Sequence, residues 1–129
     1  MANQFVVQLK NEPGAMATLA EALAARGVDL RAIGGGGIGD AGHVIMTTAD
    51  DDATKAVLDE GGYTYIEGES ILTEVDDRPG GMAALSRQLA DAGVNIYGHL
   101  FLGRWGDRAM FAFVVDDPDR ARPILERKR

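Results

Sequence analysis

The chain has no cysteine, which excludes disulfides, thiolate metal sites and cysteine nucleophiles. It has only two histidines, His43 and His99. Neither has a second His or Cys at ligand spacing, so no zinc site is expected. Positive charge is scarce: 13 Lys and Arg against 20 Asp and Glu leave a net charge of −7. That balance argues against nonspecific affinity for nucleic acid or anionic membrane. The one basic cluster, Arg127-Lys128-Arg129, reads as a solvated end. No apolar run approaches the roughly 18 residues that a membrane helix needs. The opening Met-Ala-Asn-Gln runs into a strand pattern with neither a basic nor an apolar leader region, and a cytoplasmic protein is expected. The glycine run from Gly34 to Gly42 lacks the Lys-Ser/Thr of a phosphate loop and precedes a strand rather than a helix. Asp50-Asp51-Asp52 lacks the alternation and glycine of a calcium loop and reads as a helix start. No cofactor and no metal is expected.

What the sequence does have is a duplication. Asn11-Glu12-Pro13-Gly14-Ala15-Met16 is echoed at Asp77-Arg78-Pro79-Gly80-Gly81-Met82, 66 residues on. From Pro13 to Val28, nine of sixteen positions are identical at that offset, Leu19/Leu85, Leu23/Leu89, Gly27/Gly93 and Val28/Val94 among them. Internal repetition of this kind defines the architecture. The expected division is 1–68 and 69–129, two units of a size that is marginal alone and gains by packing on its twin.

Each unit alternates the periods of strand and helix. Phe5, Val7 and Leu9 alternate with Gln4, Val6 and Gln8 in a first strand. Helical spacing follows from Ala15 to Arg26, with Met16, Leu19, Ala20, Leu23 and Ala24 on one face. Gly27 stands where a left-handed cap stops such a helix. Strands are expected over 28–33, 43–49 and 63–67, with the glycine run as a loop or loose hairpin and a second helix from Asp50 to Gly61. The second copy reads as strand 71–75, helix 82–92, strands 95–103 and 109–115, and a helix over about 118–126. It ends before a fourth strand. The order β-α-β-β-α-β implies a ferredoxin-like α+β plait, an antiparallel sheet with both helices on one face. The open edge left in the second copy needs a cover, such as a swapped strand, or must stay short and charged.

The Asn-x-Pro-Gly and Asp-Arg-Pro-Gly turns, each followed by Met-Ala-x-Leu-x-x-x-Leu and then Gly-Val-Asp-Leu or Gly-Val-Asn-Ile, resemble the ACT domain. The resemblance covers nearly the whole chain twice. It implies tandem units that pair side by side, bind an amino acid at the interface between them and regulate enzymes of amino-acid metabolism. Carried onto this sequence, the ligand-binding positions are Asn11, Glu12, Pro13, Gly14 and Ala15, then Asp77, Arg78, Pro79, Gly80 and Gly81. The corners Asp29-Leu30 and Asn95-Ile96 would reach a ligand across the interface. The chemistry suits such a ligand: a helix N-terminus attracts its carboxylate, and Asn11 or Asp77 offers oxygen to its ammonium. The same residues also suit a structural role, since Asn or Asp before a helix serves as a cap and Pro fits a first turn. Both readings stay open, and the unequal pairs Asn11-Glu12 against Asp77-Arg78 argue against two equivalent pockets.

Tyr97, His99 and Phe101 alternate on one strand with Trp105 beyond, and Phe111 and Phe113 lie on the next. If Ile96 and Leu100 face the helices, this aromatic stripe lies on the helix-free face, where it suits a homodimer interface. The reading is therefore a non-catalytic regulatory module that senses a small amino acid and forms a homodimer through sheet faces or edges. The alternative is a regulatory subunit bound to an amino-acid biosynthetic enzyme, of the acetolactate-synthase small-subunit kind. No carboxylates and histidine converge by spacing on an enzyme site.

Overall fold

A computed structural model describes residues 3–127; the first two residues and the last two of the basic tail lie outside the described residues. The chain divides into two compact units, one ending at Gly68 and the other beginning at Glu69.

Unit 1 runs β1 (Asn3–Lys10), α1 (Ala15–Ala25), β2 (Leu30–Ile38), β3 (Ala41–Thr48), α2 (Asp51–Glu60) and β4 (Tyr65–Glu69). Its four strands lie in the order β2-β3-β1-β4, with β3 antiparallel to both β1 and β2. Alternation puts Phe5 and Val7 of β1 on the same face as Val44 and Met46 of β3. That face packs on Leu19 and Leu23 of α1 and on Val57 and Leu58 of α2. Of the five residues expected on the inner side of α1, only Leu19 and Leu23 are fully buried, and Ala24 is exposed. Asp50 starts α2 as expected: its carboxylate accepts a hydrogen bond from Ala53 N at 3.0 Å, with Asp51 and Asp52 in the first turn at the positive end of the helix dipole.

Unit 2 runs β5 (Ile71–Asp76), α3 (Gly81–Asp91), β6 (Ile96–Trp105), β7 (Arg108–Val115) and α4 (Pro118–Leu125). Its sheet has three antiparallel strands in the order β5-β7-β6. Ile71, Val75, Phe113 and Val115 pack against Leu85 and Leu89 of α3 and Ala121 and Leu125 of α4. Where β4 lies beside β1 in unit 1, β5 has no further strand beside it among the described residues. Both units are thus ferredoxin-like α+β, with the helices on one face of an antiparallel sheet.

Two expectations about strands are corrected. The glycine run is not a loose loop: Gly34 to Ile38 continue β2 in register with β3, with Gly35 opposite Val44 and Gly37 opposite Gly42. Only Gly39 and Asp40 make the turn. Regular pairing of backbone groups holds the glycines extended although they have no side chains to pack.

The aromatic stripe is also not all on the helix-free face: Trp105, opposite Arg108, lies there, but the other residues placed by register do not. Phe111 and Phe113 share the helix-facing side of β7 with Ala109 and Val115, and Phe113 is 1% exposed in the core. His99 and Phe101 sit opposite Phe113 and Phe111 and join them on that side. The cause is a bulge between Ile96 and Gly98. An extra residue in one strand of a pair flips every later side chain to the other face. Ile96 therefore packs on the helix-side core, whereas Leu100, opposite Ala112, points away from it. A second bulge, between Phe101 and Gly103, adds one residue to the hairpin of unit 2. Beyond it the repeat offset is 67, so that Trp105–Arg108 corresponds to Ile38–Ala41.

The facing of the aromatic residues is testable. Phe113→Ala is expected to cost about 3–5 kcal/mol of stability, the usual loss for a buried ring, in urea denaturation. A loss under about 1 kcal/mol, as is usual for a surface substitution, would put Phe113 outside the core.

Candidate functional site

The strand-to-helix corner of each unit is built on a left-handed glycine. Gly14 and Gly80, each at φ 89°, precede the first residues of α1 and α3. A residue with a Cβ is strained there. Neither helix has a side-chain cap, so Asn11 and Asp77 do not cap, contrary to the structural role considered above. The Pro-Gly pair comes between them and the helix, and the glycine takes the cap position.

Asn11 and Asp77 instead tie the corner to the tip of the neighbouring hairpin. The Asn11 amide N–H donates to Asp40 O at 3.1 Å and that of Asp77 to Asp107 O at 2.7 Å. The Asn11 side chain donates through Nδ2 to Gly39 O at 2.9 Å and lies over Gly37, where a Cβ would come within 2.6 Å of Asn11 Cγ. A side chain there would have to displace the Asn11 amide. The equivalent position in unit 2 is Arg104, and there Asp77 accepts from Arg104 Nε at 2.7 Å.

A cavity of about 370 Å³ opens beside the corner of unit 1. Its base is the backbone of Gly34, Gly35 and Gly36, and its walls are the apolar side chains of Leu9, Met16, Ile33 and Val44. Lys10, Asn11, Glu12 and Ala15 also line it. A second cavity of about 640 Å³ shares Leu9, Lys10, Glu12 and Ala15 and extends along Thr18 and Gly61 to Thr64. Glu12 and Ala15 therefore stand at both. Among the described residues neither Lys10 nor Glu12 takes part in an ion pair. They offer one free charge of each sign beside an apolar hollow and a helix N-terminus.

The corner of unit 2 instead carries rings and ion pairs, with Phe101 49% exposed. At the position of Gly35 stands Phe101, whose ring meets that of Phe111, the counterpart of Val44, edge-on at 5.5 Å. The Arg104 guanidinium covers Phe101 at 4.8 Å from its centroid. Asp76 and Arg78, the counterparts of Lys10 and Glu12, pair with each other at 3.2 Å, and Asp76 also pairs with Arg108. Gly81 replaces Ala15 because a Cβ there would lie 2.2 Å from Asp76 O.

Of the residues named from the sequence, Asn11, Glu12 and Ala15 line the cavity, and Pro13 and Gly14 are exposed on the same turn. Asp77, Arg78, Pro79, Gly80 and Gly81 form the matching turn of unit 2. Asp29 and Leu30 lie at the other end of α1, whose 11 residues separate them from the turn by about 16 Å; Asn95 and Ile96 lie likewise beyond α3. The Asp29 carbonyl accepts from Ala49 N at 2.9 Å and its carboxylate lies 3.5 Å from Arg31. Asn95 N donates to the Asp116 carboxylate at 2.9 Å. Leu30 and Ile96 pack on their own units' cores. Sequence reasoning did not assign Gly34 to Gly36, Leu9, Met16, Ile33 and Val44 to the site. The available signal was that glycines in one copy stand against Leu100 and Phe101 in the other.

No family's sequence profile matches the chain, and no curated protein does. Solved structures do. Protein BT0572 from Bacteroides thetaiotaomicron is 20% identical with a TM-score of 0.71, over 97% of this chain and 86% of that one. The regulatory subunit of aspartate kinase from Thermus thermophilus, in ligand-free form, is 19% identical with a TM-score of 0.62, over 97% and 87%. That from Thermus flavus is 19% identical with a TM-score of 0.62, over 98% and 92%. The chain shares its fold with these proteins. Among the described residues no helix is long and apolar enough to cross a membrane.

The link between corner and hairpin predicts that Asn11→Ala costs about 1 kcal/mol, the usual value of one hydrogen bond, in chemical denaturation. Amide exchange should quicken at the hairpin tip, Gly39 to Ala41. Unchanged exchange there would show that the side chain does not hold the tip.

Proposed function

We propose that the chain is a non-catalytic regulatory module made of two ACT repeats, 1–68 and 69–129, that binds a small amino acid at its Pro-Gly corner. The observation that carries this reading is the cavity of unit 1, where Lys10 and Glu12, without an ion-pair partner among the described residues, stand beside the N-terminus of α1. An amino acid brings a carboxylate for Lys10 and the helix amides and an ammonium for Glu12. Asp29, Leu30, Asn95 and Ile96 enter the proposal as the corners that meet a ligand across an interface between ACT units, which a homodimer through sheet faces or edges would create. The likeness in fold to regulatory subunits of aspartate kinase supports a regulatory role. It also favours a second reading, a subunit held to an enzyme of amino-acid biosynthesis, an acetolactate synthase being one candidate. Regulation requires that the ligand bind two arrangements of the protein unequally.

A thermal-shift screen of the twenty amino acids at millimolar concentration is expected to raise the melting temperature with at least one. At a hundred times Kd the stabilisation is about 2.7 kcal/mol by linkage. A flat screen would sink the sensor reading. For the ligand found, Glu12→Ala should weaken binding about tenfold or more by loss of a charge-assisted contact, and Asn95→Ala with unchanged affinity would remove that corner from the site. Stoichiometric recovery of one biosynthetic enzyme with the tagged chain would establish the second reading.

A further inference from the structure

Superposed by strand register, the two corners differ at one place in a way that bears on the ligand. In unit 1 the pair Gly35–Val44 leaves a hollow. In unit 2 the equivalent pair, Phe101–Phe111, puts two rings there. The differences around this place run in the same direction. Arg104 covers the Phe101 ring and is tied to Asp77, whereas its counterpart Gly37 leaves that side to the Asn11 amide. Asp76 and Arg78 neutralise each other, whereas Lys10 and Glu12 have no ion-pair partner among the described residues.

We infer that unit 2 is a self-filled copy of the site, and that the place of the Phe101 ring marks where the side chain of the ligand lies in unit 1. The chain then binds one amino acid, at unit 1, and one whose side chain is apolar. This inference rests on the amino-acid reading above and narrows it. The hollow is bounded by Leu9, Met16, Ile33 and Val44. Lys10, Asn11, Glu12 and His43 also stand in the lining, but a polar or charged side chain laid against the four apolar walls would give up water for apolar contact, whereas a branched aliphatic or aromatic one takes the place of the missing ring. A volume of about 370 Å³ lies at the small end of ligand sites and suits a single amino acid.

Isothermal titration of the unaltered chain with L-leucine, L-isoleucine, L-methionine and L-phenylalanine, against L-serine, L-glutamate and L-lysine, tests this. The expected result is one site per chain, with the best apolar amino acid bound at least tenfold more tightly than any polar one. Two sites per chain, or a polar amino acid bound most tightly, would overturn the inference and leave the sensor reading standing. Binding of none of the seven, together with a flat thermal-shift screen of all twenty amino acids, would overturn both.

Two variants locate the site. Val44→Phe copies unit 2 into unit 1 and should weaken binding at least tenfold with the circular dichroism spectrum unchanged. Gly35 is unsuited to this test, because a Cβ there would lie 2.4 Å from His43 O. Phe101→Ala should leave affinity and stoichiometry as they are. If Phe101→Ala abolishes binding and a folded Val44→Phe does not, the ligand lies in unit 2 and the inference fails.

Discussion

Each unit depends on one backbone constraint, the left-handed glycine between its first strand and its first helix. At φ 89° the chain reverses over Pro-Gly without a side-chain cap, and the helix begins within five residues of the strand's end. That tightness aligns Leu19 and Leu23, or Leu85 and Leu89, over the inner face of the sheet. It also leaves the second residue before the Pro-Gly step free to reach sideways. Asn11 and Asp77 use that freedom to hold the tip of the neighbouring hairpin, and the cavity exists because corner and hairpin are held at a fixed spacing.

Much of this was legible in the sequence. Strand order, helix placement and the doubled plan followed from the Pro-Gly echo and from periods of two and 3.6 residues. The facing of the aromatic residues was not. Tyr97 gives no sign of the bulge at its position, since a bulge is set by how two strands pair and not by the residue that bulges. One such residue moved Leu100 off the helix side and brought His99 and Phe101 onto it. The glycine run misled for a related reason. Glycine signals a loop by its local freedom, but at Gly34 to Gly37 pairing with β3 outweighs that freedom, and absent side chains matter as space. At the corners, the type of residue was informative and its partner was not: Asn11 carried the signature of a cap, but its acceptor was Gly39 O, 28 positions away.

The two copies show how a duplicated unit can diverge without loss of the shared frame. The frame, from the glycine corner to the leucines of the first helix, is nearly identical in both. The differences gather on the second and third strands and on the charges of the turn. In unit 2 the charges of the turn pair with each other and Phe101 meets Phe111; in unit 1 Lys10 and Glu12 have no ion-pair partner among the described residues, and a glycine stands in place of the ring.

The bareness of β2 has a further consequence. Four glycines in succession make an edge strand costly to hold extended, because glycine loses more backbone freedom than any other residue, and no side chains repay that loss by packing. In unit 2 the rings of Phe101 and Phe111 stiffen the corresponding strand from within. A molecule seated against Gly34 to Gly36 would do the same from outside. Occupancy of the hollow would then be registered along the edge of the sheet as a loss of motion, with no displacement of any element required.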